Sequence, residues 1–480
     1  MPIPPLTVRT VHSTEPTFHV GSIERFYRHG WHSWSPTGWV DPQVPILPIP
    51  DEGRRLGHDD PRHAMDTTVS SSGVGIGVDA SGTATLLGAL APDGRVRPVG
   101  PELIGSSGSG EIDWLIATGT VDGVLGAYAS ALGEHLGRRP RRTMRVWCSW
   151  YSHYEGVTEQ AILDAVDAVD GHQIDVVQID DGWEQAIGDW VPNDDFPAGM
   201  EKLADVIRAS GRTAGLWLAP FIARSDARLV EERPELLLRD AEGAPVVAGI
   251  NWGGPYFSLD PTSGATQDFV HDMITKARSW GFDYLKLDFL YAAAFPGRHV
   301  EPMDPEAAYR AGVEAIREAA GDDCYLLACG APVIASIGVF DGIRIGPDVA
   351  EFWEEPTLTA MGDFSGRGAR NAIITSSERL WLRDLIDTDP DVAFFDRSSV
   401  DLDEATLGSL RDLAAITGFV GTSDRLELLT HEESDELDAL LADEATVNHE
   451  SLLRWRIDGR VTDFGWVRRS ATSAPSGRMP

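Results

Sequence analysis

The chain has few cysteines: three in 480 residues, Cys148, Cys324 and Cys329. So odd and sparse a set, with no CxxC pair, excludes a disulfide framework. Long apolar runs are also missing. No stretch of 18 apolar residues exists, so no membrane-spanning helix is expected. The opening residues, MPIPPLTVRTVHSTEP, have neither a charged n-region nor an apolar h-region, and no signal peptide is expected. Positive charge is scarce. Asp and Glu number 75 against 40 Lys and Arg, a net charge of −35 spread along the chain. That balance argues against nucleic acid and against anionic membrane surfaces as partners. The thirteen histidines are scattered. The nearest approach to a metal cluster, His58 to His63 in HDDPRH, lies in a proline-containing loop without ligand spacing, so no metal is expected. No GxGxxG follows a strand pattern, which leaves a dinucleotide fold without support. The default is an acidic cytoplasmic enzyme.

Tryptophan is plentiful, with fifteen in the chain. Trp31, Trp34 and Trp39 crowd one short segment, and Trp147 and Trp150 another. An indole N–H needs a partner when buried, so cores use tryptophan sparingly. Clusters of this kind suit either platforms for an amphipathic ligand such as a sugar ring or a tryptophan-rich domain interface.

The patterning divides the chain into three. Residues 1–140 read as short β-prone runs broken by Gly, Ser and Asp turns, a β-sandwich-type domain, with a helix over 122–137. The basic connector RRPRRT (138–143) marks a boundary. Residues 141–425 alternate strand and helix. Strands are expected at 145–151, 175–183, 213–221, 283–289, 324–330, 341–346, 371–377 and 379–384, with helices at 159–170, 200–210, 265–280 and 305–321. Eight strands in about 240 residues match a (β/α)8 TIM barrel. Residues 426–480 read as a small C-terminal β domain, with a hairpin around Asp458-Gly459 and a frayed last ten residues.

The segment YLKLDFLYAAA (284–294) is an apolar strand pattern holding Lys286 and Asp288. Residues two apart share a strand face. Burying both is costly unless they pair or do chemistry. In a barrel the chemistry lies at the C-terminal strand ends, where Asp180 and Asp181, Lys286 and Asp288, and Arg344 and Asp348 all fall. Trp150, Trp217, Cys329 and Gly330 fall there too. Taken singly, each has a bland reading: an aspartate can be a helix cap, a cysteine a small core residue. Together they make an acidic pocket rimmed with tryptophan, which suits glycoside hydrolysis by two carboxyl groups.

Six segments occur in order: VWCSWY (146–151), QIDDGW (178–183), GLWLAPF (215–221), YLKLDFLYAAAFPG (284–297), LLACGAPV (326–333) and DGIRIGPDVAEFW (341–353). They resemble glycoside hydrolase family 36 α-galactosidases of the short bacterial type. The N-terminal HGWHSWSPTGW (29–39) is similar to that family's tryptophan loop, and the resemblance covers roughly residues 25–430. It implies a retaining hydrolase of small α-galactosides, melibiose or raffinose in type, with Asp288 as nucleophile and Asp348 as general acid/base. It also implies that Asp180 and Asp181 take the galactose 4-OH and 6-OH, and Lys286 and Arg344 ring hydroxyls, with Cys329 near the 2-OH. Trp150 and Trp217 would line the sugar, and Trp31 or Trp34 would reach over the barrel mouth. The charge of Lys286 is expected to act on Asp288, and the two catalytic carboxyls to lie roughly 5–6 Å apart, the range for retention. No cofactor is implied, since two carboxylates suffice. A small carbohydrate is the expected partner, and a homo-oligomer stays open. One departure stands out. The family's last-strand motif W-x-N-D-P-D is split here between Trp381–Asp384 and Asp389-Pro390-Asp391. The same scaffold would also serve an α-N-acetylgalactosaminidase, a transgalactosylase or a non-catalytic sugar-binding protein.

Overall fold

The computed structural model describes residues 3–140, 142, 144–361, 363, 365–442 and 445–470. At its centre is an eight-stranded parallel sheet. Its strands in chain order are Arg145–Cys148, Val176–Ile179, Thr213–Leu218, Phe282–Leu287, Tyr325–Ala328, Gly342–Arg344, Asp387–Asp389 and Val420–Thr422. The first seven pair in chain order, and the eighth pairs with the first. The ring closes between the seventh and eighth by a parallel bridge, Val392 to Gly421. This is the TIM barrel that the strand–helix alternation predicts. The first five strands are apolar and almost wholly buried, as strands covered on both faces must be.

The helices are well punctuated. Thr158 caps Glu159–Ala168 by accepting from the Ala161 N–H. Asp304 caps Pro305–Ala320, which has proline at its first turn and ends at Gly321. Asp403 caps Glu404–Thr417, and Gly418 closes it in the left-handed region. Such caps satisfy the free N–H and C=O groups of helix ends.

Two of the expected strands are corrected. Residues 371–377 lie in a helix, Ala369–Glu378, and 379–384 in a 3-10 turn, Leu380–Asp384. Ala369, Ala372, Ile373 and Ser376 are all buried, and their spacing is that of one helical face, which overrides the β propensity of the Ile-Ile-Thr run. The true seventh and eighth strands are three residues each.

N-terminal to the barrel, a six-stranded antiparallel sheet (from Thr7–Ser13 at one edge to Gly38–Val40 at the other) faces a four-stranded one. Phe26, Leu87, Val96, Leu103, Trp114 and Ile116 fill the space between. After the barrel come the helix His431–Leu441, with a Thr430/Glu433 capping box, and a three-stranded sheet. Two of those strands, Arg454–Ile457 and Arg460–Asp463, flank Asp458-Gly459, where both residues have positive φ. That is the two-residue hairpin geometry expected of Asp-Gly. The expected frayed tail, 471–480, lies outside the described residues. No helix among the described residues is long and apolar enough to cross a membrane.

Candidate active site at the barrel mouth

At the C-terminal ends of the strands opens a pocket of about 670 Å³, within the usual range for small-ligand sites. Trp150, Phe289 and Asp348 line it from the strand ends, and Trp34, Arg54 and His58 from the N-terminal domain. Six non-glycine residues among those described have a left-handed backbone, and five (Tyr154, Trp252, Phe289, Ala350 and Asp391) follow barrel strands. Such conformations persist only where surroundings enforce them, and they cluster at functional sites.

The fourth strand aligns Lys286 with Trp217 on one side and Leu327 on the other. Lys286 Nζ donates to Asp180 Oδ2 at 2.8 Å. The same oxygen accepts from Gln178 Nε2 at 2.6 Å and from Cys148 Sγ at 3.3 Å. Burial works against the ammonium, but the Asp180 charge outweighs it and the lysine pKa is raised well above its ordinary value. The lysine thus bonds Asp180, and not Asp288 as its sequence position suggests. Asp288, just past the strand, has other partners. Its Oδ2 accepts from Trp217 Nε1 at 3.1 Å and its Oδ1 from the Phe289 N–H at 2.8 Å. The left-handed turn at Phe289 accompanies this local bond.

Arg344 ends the sixth strand and meets three carboxylates. Its Nε reaches Asp389 at 2.9 Å, Nη1 reaches Asp348 at 3.3 Å and Nη2 reaches Asp391 at 3.1 Å. Burial opposes this guanidinium, but Asp389 and Asp391 hold it charged. Asp348 is pushed up to about 6, first by burial and then by the Asp391 charge, with Arg344 and Lys286 pulling the other way. Its side chain is 39 % exposed. Protein crowds most of the carboxyl while one face opens into the pocket. Of the aspartates in the split motif, Asp389 and Asp391 lie at the C-terminal end of the seventh strand, bonded to Arg344. Asp384 precedes that strand and lines a different cavity with Trp381 and Trp455.

Asp181 accepts from Trp252 Nε1 at 2.8 Å. Asp181 and Glu184 are both buried and both have raised pKa values, that of Asp181 well above its ordinary value. Burial is the main cause for each, and the Glu184 charge adds to the shift on Asp181.

From the N-terminal domain, Trp34 lies edge-on to Phe289 and Tyr291, with ring centroids at 5.3 and 5.8 Å. Its loop is stitched to the loop after the fifth strand. Ser33 N–H donates to Ala331 O at 3.1 Å, and Ala331 N–H to Ser33 Oγ at 3.2 Å. Gly330 has φ +52, and a Cβ there would sit 3.1 Å from the Trp34 ring. Only glycine meets both conditions without strain. Trp31 is placed differently. It is 3 % exposed, donates to Glu306 Oε1 at 3.0 Å and is not among the pocket-lining residues. Cys329 is also buried, below the lining, and burial followed by the Asp288 charge raises its thiol pKa.

Several lining groups are absent from the sequence reading. Asn251 comes from an antiparallel excursion after the third strand, made of Ile222–Arg224, Val247–Asn251 and Gly254–Ser258, and Trp252, which bonds Asp181, sits in the turn that follows Asn251. The Asn-Trp-Gly-Gly turn signal there could have flagged them. Arg54, Glu355 and Arg367 carry no local signal.

A parallel barrel with a carboxylate-rich, tryptophan-walled mouth has the build of a glycoside hydrolase. The family model described as Melibiase matches residues 132–310. The α-galactosidase TtGalA of Thermus thermophilus, in complex with p-nitrophenyl α-D-galactopyranoside, is 41 % identical. The match covers 96 % of this chain and 97 % of that one, with a TM-score of 0.91. The same enzyme with stachyose gives 42 %, 91 %, 97 % and 0.86. A blood-group A galactosaminidase of Flavonifractor plautii is 30 % identical over 30 % of this chain and 14 % of its own length. An α-galactosidase of rice (Oryza sativa subsp. japonica) is 32 % identical over 34 % of this chain and 32 % of its own. The matched stretch is thus under a third of either curated relative. This chain belongs to the α-galactosidases of glycoside hydrolase family 36.

Proposed function

We propose that the protein is a retaining, exo-acting α-galactosidase that removes terminal α-linked galactose from small galactosides of the melibiose and raffinose type. Asp288 attacks the anomeric carbon while Asp348 passes its proton to the glycosidic oxygen, and the aglycone leaves as an alcohol. The galactosyl ester on Asp288 is then cleaved by water, whose proton returns to Asp348. Asp180 and Asp181 take the 4-OH and 6-OH. Lys286 and Arg344, both held charged by carboxylates, act on ring hydroxyls. The three unbridged cysteines are in keeping with a reducing, cytoplasmic location.

The observation that carries this reading is the unequal setting of the two carboxyls. Asp288 is buried, with both oxygens tied to N–H donors. Asp348 opens into the pocket, with its pKa pushed up to about 6. An oriented nucleophile and an acid that still holds a proton near neutral pH are the two parts that double displacement needs.

The test is proton NMR of the anomer first formed from p-nitrophenyl α-galactoside, with the α-N-acetylgalactosaminide and α-glucoside run in parallel. α-Galactose as the first product supports retention, and β-galactose first overturns it. In azide, Asp348→Ala should yield α-galactosyl azide and Asp288→Gly the β-azide. The reverse pattern would exchange the two roles.

A further inference from the structure

Arg379 follows the helix Ala369–Glu378 and is fully buried. No carboxylate among the described residues lies within ion-pair distance of it. Its guanidinium donates to five backbone carbonyls. Nη1 reaches Ser33 O at 2.5 Å and Ile345 O at 3.0 Å, and Nη2 reaches His32 O at 2.8 Å, Gly30 O at 3.1 Å and Ser35 O at 3.3 Å. Four of the five acceptors belong to one tight loop of the N-terminal domain, residues 30–35. The fifth, Ile345, follows the sixth barrel strand, one residue after Arg344. A buried cation without a counter-ion is costly unless dipoles replace its water. Here those dipoles are converging carbonyls, and the loop they define carries Trp34 into the pocket.

Arginine suits this position. Its planar fork offers several donors in fixed directions, while lysine offers a point charge with three. A loop of six residues whose carbonyls converge on one centre is shaped by that centre.

We propose that Arg379 is a positioning residue for substrate binding: it folds the 30–35 loop around its guanidinium and thereby fixes Trp34 over the sugar pocket. It touches no reacting group and acts through Trp34. This rests on the reading of the pocket as the galactoside site.

The experiment is a double-mutant cycle on the full chain, with p-nitrophenyl α-galactoside as substrate and Trp34→Ala as the second arm. Arg379→Met should raise KM by about tenfold and change kcat by less than about threefold, the signature of lost uniform binding. Arg379→Lys, which keeps the charge and part of the donor set, should fall between. In the Trp34→Ala background, neither substitution should move KM by more than about twofold, since interacting residues are non-additive. Equal KM effects with and without Trp34 would overturn the proposal, as would a loss confined to kcat. If Arg379→Met does not fold, Arg379→Lys alone completes the cycle. If the wild type hydrolyses no galactoside, the functional reading fails separately, and the same cycle is then read from the Kd of galactose by calorimetry.

Discussion

Asp391→Asn tests the electrostatic account of the acid. Asp348 and Asp391 each bond a different nitrogen of the Arg344 guanidinium, at 3.3 and 3.1 Å. For two carboxylates held on different nitrogens of one guanidinium, a separation of about 6 Å corresponds to a repulsion of ~3 kcal/mol at an effective dielectric of about 20. Asp348 is partly open to solvent, so screening leaves roughly 1–1.4 kcal/mol, about one pKa unit. Asparagine keeps the shape, can still accept from the Val349 N–H now bonded at 2.9 Å, and removes the charge. It also leaves Arg344 freer to favour the anion of Asp348. Both effects lower the Asp348 pKa from about 6 toward about 5. A general acid works protonated, so activity is lost as pH rises through its pKa. The basic limb of kcat/KM should therefore move about one unit toward acid, with a roughly tenfold loss at pH 7. Raffinose or melibiose is the substrate to use, because a sugar leaving group needs the proton and nitrophenolate hardly does. A basic limb that stays in place, or moves to higher pH, refutes the reasoning.

Trp217→Phe removes the 3.1 Å N–H bond to Asp288 and keeps an aromatic ring at this buried position. Hydrogen bonds to charged groups are worth about 1.5–3 kcal/mol, so kcat should fall by about tenfold or more with far-UV circular dichroism unchanged; an unaltered kcat would mean that the indole does not orient the carboxylate. Lys286→Met leaves Asp180 buried without its cation. Breaking such a pair costs about 3–5 kcal/mol, so the thermal midpoint should fall by several degrees at neutral pH, and a midpoint within a degree of wild type would contradict the pairing.

The barrel was readable where apolar runs were long enough to show a period, from Arg145 to Arg344. Legibility failed at the last two strands because Asp-Thr-Asp and Val-Gly-Thr are too short and too polar to register, while the Ile-Ile-Thr run nearby reads as β and folds as helix. Lys286 and Asp288 were readable because charge in an apolar strand is conspicuous. The sequence could not say that the lysine's partner is Asp180, 106 residues away. Nor could it resolve whether Trp31 or Trp34 reaches the mouth, since three residues within one loop decide between a buried contact to Glu306 and the pocket. The tertiary meeting of loop and barrel settles that question, and neither partner's local pattern contains it.

Arg379 also bears on cooperativity. Its charge is tolerable in the interior only while the carbonyls of residues 30–35 surround it. Peeling the N-terminal sheets from the barrel would strip four of those five acceptors at once. The two units, separate in sequence and in architecture, are thereby made one thermodynamic unit: the barrel reaches its full stability only after the first forty residues have docked, and heat should melt both in a single transition.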